Sequence, residues 1–251
     1  MAEIIILSII QGLTEFLPVS SSAHLILVSK FFNFSNENLN LDLSLHLGSL
    51  LAIVIYFKKD LFDFINNKNL FLKIILSSIP TMIVGFFLIK FQLVDYLRNY
   101  KVIGWSTIVF GILLYFSDLK KEKKSMARDF KYNTALYIGF FQVLSLIPGV
   151  SRSGVTITGG RFFNFNRLDS TKISFLISIP TLAVVSLYNF KNLITEQSFD
   201  VSLLNFLGVL LSLIFSYVTI KFFLEFVKKF SLLYFVIYRV IIGTLILIYA
   251  Y

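Results

Sequence analysis

The feature that most constrains this chain is a polar break inside an apolar run. Residues 148–156 read Pro-Gly-Val-Ser-Arg-Ser-Gly-Val-Thr and interrupt apolar residues at 137–147 and 155–158. Pro148 and Gly149 end a helix. An arginine at membrane depth costs about 2.5–3.5 kcal/mol on insertion scales, so Arg152 must find a partner or line a cavity. Hydroxyls, small residues and a guanidinium together suit a turn that cradles phosphate. The alternative is a kinked helix with a snorkelling arginine, but a simple kink needs neither the arginine nor so many hydroxyls.

The surrounding chain is a membrane protein by composition. Of 251 residues, 57% are hydrophobic and 15% charged, whereas soluble domains carry about 25% charge. No cysteine is present, which excludes disulfides and thiolate metal sites, and two histidines do not make a three-histidine zinc site. The net charge of +9 does not point to nucleic acid, because the lysines fall in short loops where they act as topology determinants. Glu3 and the lack of a basic leader argue against a signal peptide.

A span needs about 20 apolar residues. The first apolar stretch, 4–32, is too long for one crossing and has a polar centre. Two half-helices, 2–16 and 24–32, joined at a polar tip describe it better. Such backbone is tolerated at this depth only when protein or a wet cavity surrounds it. Spans are expected at 42–57, 70–89 and 102–116. A lysine-rich segment at 118–131 follows, and the layout then repeats: a second broken stretch at 132–165 and spans at 173–190, 201–220 and 232–249. The two tips align at a fixed offset, with Gln11 facing Gln142 and Ser20 facing Ser151. The expectation is therefore an all-α polytopic protein with six transmembrane helices and two re-entrant segments, built as repeats 1–118 and 132–251. Three spans per repeat make the second inverted. On this layout sixteen Lys/Arg fall on one side and five on the other, with Arg152 and Arg239 inside the membrane. The richer side is read as cytoplasmic. The first re-entrant loop then dips in from outside, the second rises from the cytoplasm, and the tips can meet.

The chemistry divides between the tips. Gln11 and Glu15 share one helix face, and Glu15, an acid at membrane depth, is a functional candidate by default. Ser20, Ser21 and His24 follow, and histidine can exchange protons near neutrality or attack phosphorus. His46 has no such neighbours in sequence and is read as structural or supporting. From the second tip, Arg152 can hold two phosphate oxygens, with Ser151, Ser153 and Thr156 taking others at a helix N-terminus. Gln142 is a supporting residue. Phosphoryl transfer is the natural reading, with a divalent cation near Glu15 offsetting charge. The nucleophile stays open among Ser21, His24 and water. The rival is an inverted-repeat transporter or flippase that binds an anionic headgroup at the same arginine without cleaving it.

The stretches 11–21, Gln-Gly-Leu-Thr-Glu-Phe-Leu-Pro-Val-Ser-Ser, and 148–154, Pro-Gly-Val-Ser-Arg-Ser-Gly, closely resemble the two signature motifs of the bacterial undecaprenyl-diphosphatase family, also called bacitracin-resistance proteins. Leu47-Gly48-Ser49 and Tyr238-Arg239 extend the likeness. The resemblance implies hydrolysis of undecaprenyl diphosphate to undecaprenyl phosphate and phosphate, which recycles the lipid carrier of peptidoglycan synthesis and confers bacitracin resistance. It implies an inner-membrane enzyme using Mg²⁺ or Ca²⁺, with its site open to the periplasmic side. By motif match the catalytic residues are Glu15, Ser21, His24 and Arg152, with Glu15 as candidate metal ligand. Gln11 stands where the motif can carry a second glutamate, so Glu15 is the motif's sole carboxylate here. Expected partners are a prenyl diphosphate, membrane lipids and, as a candidate, a second copy in a homodimer; nucleic acid is not among them.

Overall fold

A computed structural model describes residues 1–32, 34, 39–61, 68–195 and 203–251. Ten helices of more than four residues are described: α1 Ala2–Thr14, α2 Ser21–Phe31, α3 Leu39–Tyr56, α4 Lys68–Lys90, α5 Tyr100–Asp118, α6 Tyr132–Val143, α7 Arg152–Phe162, α8 Arg167–Thr195, α9 Leu203–Lys229 and α10 Leu233–Ala250. Among the described residues there is no strand. Five helices, α4, α5, α8, α9 and α10, are long and apolar enough to cross a membrane. The sixth expected span is the shorter apolar helix Leu41–Tyr56 within α3. The chain is thus a polytopic helical membrane protein.

The two broken stretches fold as helix–turn–helix pairs. With 13 and 11 residues, α1 and α2 are about 20 and 16 Å long, well short of the hydrocarbon thickness of about 30 Å. The pair α6 and α7, with 12 and 11 residues, is equally short. Several full-length helices run past the expected boundaries. α9 continues beyond 220 through Lys221, Glu225 and Lys228 to Lys229, because apolar scoring stops at charge while Lys and Glu are good helix formers. Lys228 donates to Glu225 at 2.6 Å within that turn. Residues 201–202 of the expected span lie outside the described residues.

Helix ends sort into two groups. At one end Lys30 lies over the rings of Tyr100 and Tyr249, and Lys101 over Tyr251. At the other, Tyr132 donates to Asn69, and Asp118 gathers α5, α8 and α10: it accepts from Arg167 and from the Leu232 amide. Arg161 also belongs to this latch. It is buried, not a loop cation, and donates to the carbonyls of Phe165, Asp118 and Lys120.

The packing pairs have counterparts in the two halves. α1 packs on α9 as α6 packs on α4, α3 packs on α9 as α8 packs on α4, and α5 pairs with α10. The core lies between them, around Phe16, Phe57, Phe175 and Phe223. Pro180 sits inside α8. The nearby carbonyl of Ile177 accepts from Ser78 on α4 and from the Thr181 hydroxyl.

Candidate active site

Both turns are held in conformations that few side chains adopt. Ser20 and Ser151 each precede a half-helix with φ of 74° and 71°. Non-glycine residues there cost about 1–3 kcal/mol and persist only where the surroundings impose them. Here many bonds do so. His24 Nδ1 donates to the Ser20 carbonyl at 2.7 Å, Ser153 to that of Leu17 at 2.7 Å, and Ser106 to that of Pro148 at 2.5 Å. Gly149 has φ +93°, and a Cβ there would collide with Ser106 and the Ile103 carbonyl. Arg239 on α10 ties the turns together. It is fully buried and donates to the carbonyls of Pro18, Gly149 and Thr107 at 3.3, 3.0 and 3.0 Å.

The result is a polar cavity of about 100 Å³ lined by Glu15, Ser20, Ser21, Ser22, Ser145, Ser151 and Arg152. A larger cavity, about 360 Å³, is apolar and lies near Leu27, Lys30, Tyr100 and Tyr249. No carboxylate or serine lines it, so the smaller one has the groups that phosphoryl transfer needs. Its floor is buried: Glu15 is 8% exposed, Ser20 3% and Ser151 6%.

Glu15 is the hub. One carboxylate oxygen accepts from Arg152 Nη2 at 2.7 Å. The other accepts from Ser21 Oγ at 2.7 Å and from Gln11 Nε2 at 3.1 Å. A buried ion pair contributes little to stability once desolvation is counted, so its retention points to use. Arg152 Nη1 is buried with no partner among the described residues. It is a donor aimed at nothing the protein supplies. The helices α2 and α7 both start at this cavity, where first-turn amides lack intrahelical acceptors and the helix dipoles are positive.

The expected residues do not all converge. Glu15, Ser20, Ser21, Ser151 and Arg152 do. His24 lies beside the cavity with both ring nitrogens engaged: since the Ser20 carbonyl takes the Nδ1 proton, Nε2 accepts from the Tyr238 hydroxyl at 2.6 Å. Ser153 faces Leu17, and Thr156 points away, bonding the carbonyls of Arg152 and Ser153 and the Ser174 hydroxyl. Gln142 is buried against Thr81. His46 donates to the Asp42 carbonyl and does not line the cavity. Ser22 and Ser145 line the cavity without having been expected. Ser22 adjoined the motif, whereas Ser145, in a run read as apolar, gave no signal.

A polytopic helical protein that sets an acid–serine pair against an arginine, between two helix N-termini at membrane depth, has the parts of a membrane phosphoryl-transfer enzyme. The chain belongs to the bacitracin resistance protein BacA family, which it matches over residues 4–245. It is 52% identical over 250 residues to the undecaprenyl-diphosphatase of Pelagibacter ubique, covering 99% of this chain and 97% of that protein. It is 38% identical to undecaprenyl-diphosphatase 1 of Pseudoalteromonas translucida over 98% of this chain and 97% of the relative. The undecaprenyl-diphosphatase of Saccharophagus degradans is also 38% identical, over 95% and 94%.

Proposed function

We propose that this chain hydrolyses undecaprenyl diphosphate to undecaprenyl phosphate and inorganic phosphate at the Glu15–Ser21–Arg152 cavity. The carrying observation is that one carboxylate bonds both a serine hydroxyl and a guanidinium whose second nitrogen is free. The terminal phosphate takes Arg152 Nη1 and the amides at the starts of α2 and α7. Glu15 accepts the Ser21 proton as Oγ attacks the terminal phosphorus. The bond from that phosphorus to the bridging oxygen breaks, and its electron pair leaves with the lipid monophosphate, which takes up the proton. Water then attacks the phosphoserine, gives one proton through Glu15 back to Ser21 Oγ, and releases phosphate. Ser21 is favoured over His24 because it lines the cavity and donates to a base, whereas both nitrogens of His24 are occupied. His24 instead holds the strained Ser20 turn.

The donor set limits how a divalent cation would bind. Among the described residues no three His, Cys, Asp or Glu side chains cluster, and Glu15 is the only carboxylate lining the cavity. Mg²⁺ is commonly held by one or two carboxylates completed by substrate phosphate oxygens. Glu15 with the diphosphate is the arrangement these residues fit, and a bound cation would supply charge neutralisation.

The paired packing and the matching Ser20 and Ser151 turns support an inverted duplication, 1–118 and 132–251. The Lys/Arg asymmetry supports an inner-membrane orientation with the site open to the periplasmic side, where the reaction would recycle a cell-wall lipid carrier and confer bacitracin resistance. A transporter would need the arginine but not the acid–serine pair. Purified protein in detergent, given a C55 or C15 prenyl diphosphate, should release one phosphate per lipid monophosphate formed, and a chelator should lower the rate. Binding without phosphate release would refute the reading.

A further inference from the structure

The cavity has two depths, and the mechanism above uses only one. At about 100 Å³ the cavity is well below the roughly 300 Å³ of a pocket that encloses a drug-sized ligand, so a prenyl diphosphate must extend beyond it. Glu15, Ser20 and Ser151 form the buried floor. Ser22 is exposed and Ser145 half-buried, as Ser21 and Arg152 are, so these two lie above the floor on the open side. They come from different turns: Ser22 from the first turn of α2, Ser145 from the 3₁₀ segment Leu144–Leu146 that ends α6. Ser22 is within 3.3 Å of the Ser20 hydroxyl. The Ser145 hydroxyl has no partner among the described residues, although it lines the cavity. A lipid tail leaves through the mouth, so the phosphate attached to it is the one nearest Ser145.

Resting on the hydrolase reading, we propose that Ser145 is a substrate-binding residue for the leaving half of the molecule. Its hydroxyl donates a hydrogen bond to a non-bridging oxygen of the lipid-attached phosphate, while Arg152 and the two helix N-termini hold the terminal one. Ser145 reaches the cavity from the 3₁₀ segment Leu144–Leu146, which lies between α6 and the second tip.

Steady-state kinetics of purified Ser145→Ala on a prenyl diphosphate test this. A hydrogen bond to a charged phosphate is strong enough that its loss should raise KM about ten- to hundredfold, with kcat within about twofold of the parent. Inhibition by the prenyl monophosphate should weaken by the same factor, inhibition by inorganic phosphate should not change, and Ser145→Thr should restore KM. Unchanged KM in Ser145→Ala, or equal weakening of inorganic phosphate, would overturn the assignment. Absence of phosphate release by the parent protein would instead remove the reading beneath it.

Discussion

Replacing Glu15 with Gln separates the two jobs of this carboxylate. Gln keeps the shape and an oxygen for Arg152 Nη2, now 2.7 Å from Glu15, so the fold should stand. It removes the base that receives the Ser21 proton across 2.7 Å. Loss of a general base typically lowers rate by about 10²–10⁴-fold, and kcat should fall by that amount. Phosphate binding should move the other way. A phosphate about 5 Å from the carboxylate feels a unit-charge repulsion of about 3 kcal/mol at an effective dielectric of about 20, and the variant removes it. Without added divalent cation, inhibition by inorganic phosphate should therefore tighten by about tenfold or more. The assay is phosphate release from a prenyl diphosphate with inorganic phosphate as competitor. A kcat within about threefold of the parent, or phosphate binding that weakens together with kcat, would refute the reasoning.

Other outcomes follow from the same geometry. His24→Ala should slow turnover by about 10–100-fold without abolishing it, since it frees the Ser20 carbonyl but leaves Glu15 and Ser21 in place; a trapped phosphoenzyme should be acid-stable phosphoserine, and acid-labile phosphohistidine would contradict this. Gly149→Ala should lower stability by about 1–3 kcal/mol, as its φ of +93° and the crowding by Ser106 both oppose a side chain, measurable as a lower melting temperature in detergent. Arg239→Met should strand the carbonyls of Pro18, Gly149 and Thr107, each at about 1–3 kcal/mol, and should cost activity beyond its effect on melting because it links both turns.

The helices and the two broken stretches were readable because proline, glycine, hydroxyls and charge cluster there as they do nowhere else in the apolar runs, so residues 11–24 and 148–156 stood out against their surroundings. Glu15 and Arg152 were readable for the same reason, as charges at membrane depth. What pattern did not carry was orientation. Thr156 looks like a phosphate ligand one turn after Arg152, yet on α7 its hydroxyl points to Ser174. The partner of the His24 Nε2 is Tyr238, 214 residues away, which no local motif could have pointed to. Arg239 clamps both turns through three carbonyls, and carbonyl partners leave no trace in side-chain sequence. Ser145 was hidden in an apolar run, and it sits in the 3₁₀ segment that ends α6.

The most direct measurement is kcat for phosphate release by purified Ser21→Ala and Arg152→Ala beside the parent, with melting temperatures confirming that each is folded. One variant alters the first tip and the other the second. If a single site spans both, each should lose at least about 10³-fold, as expected for removing a nucleophile or a desolvated transition-state charge. Near-parental turnover in either folded variant would contradict it.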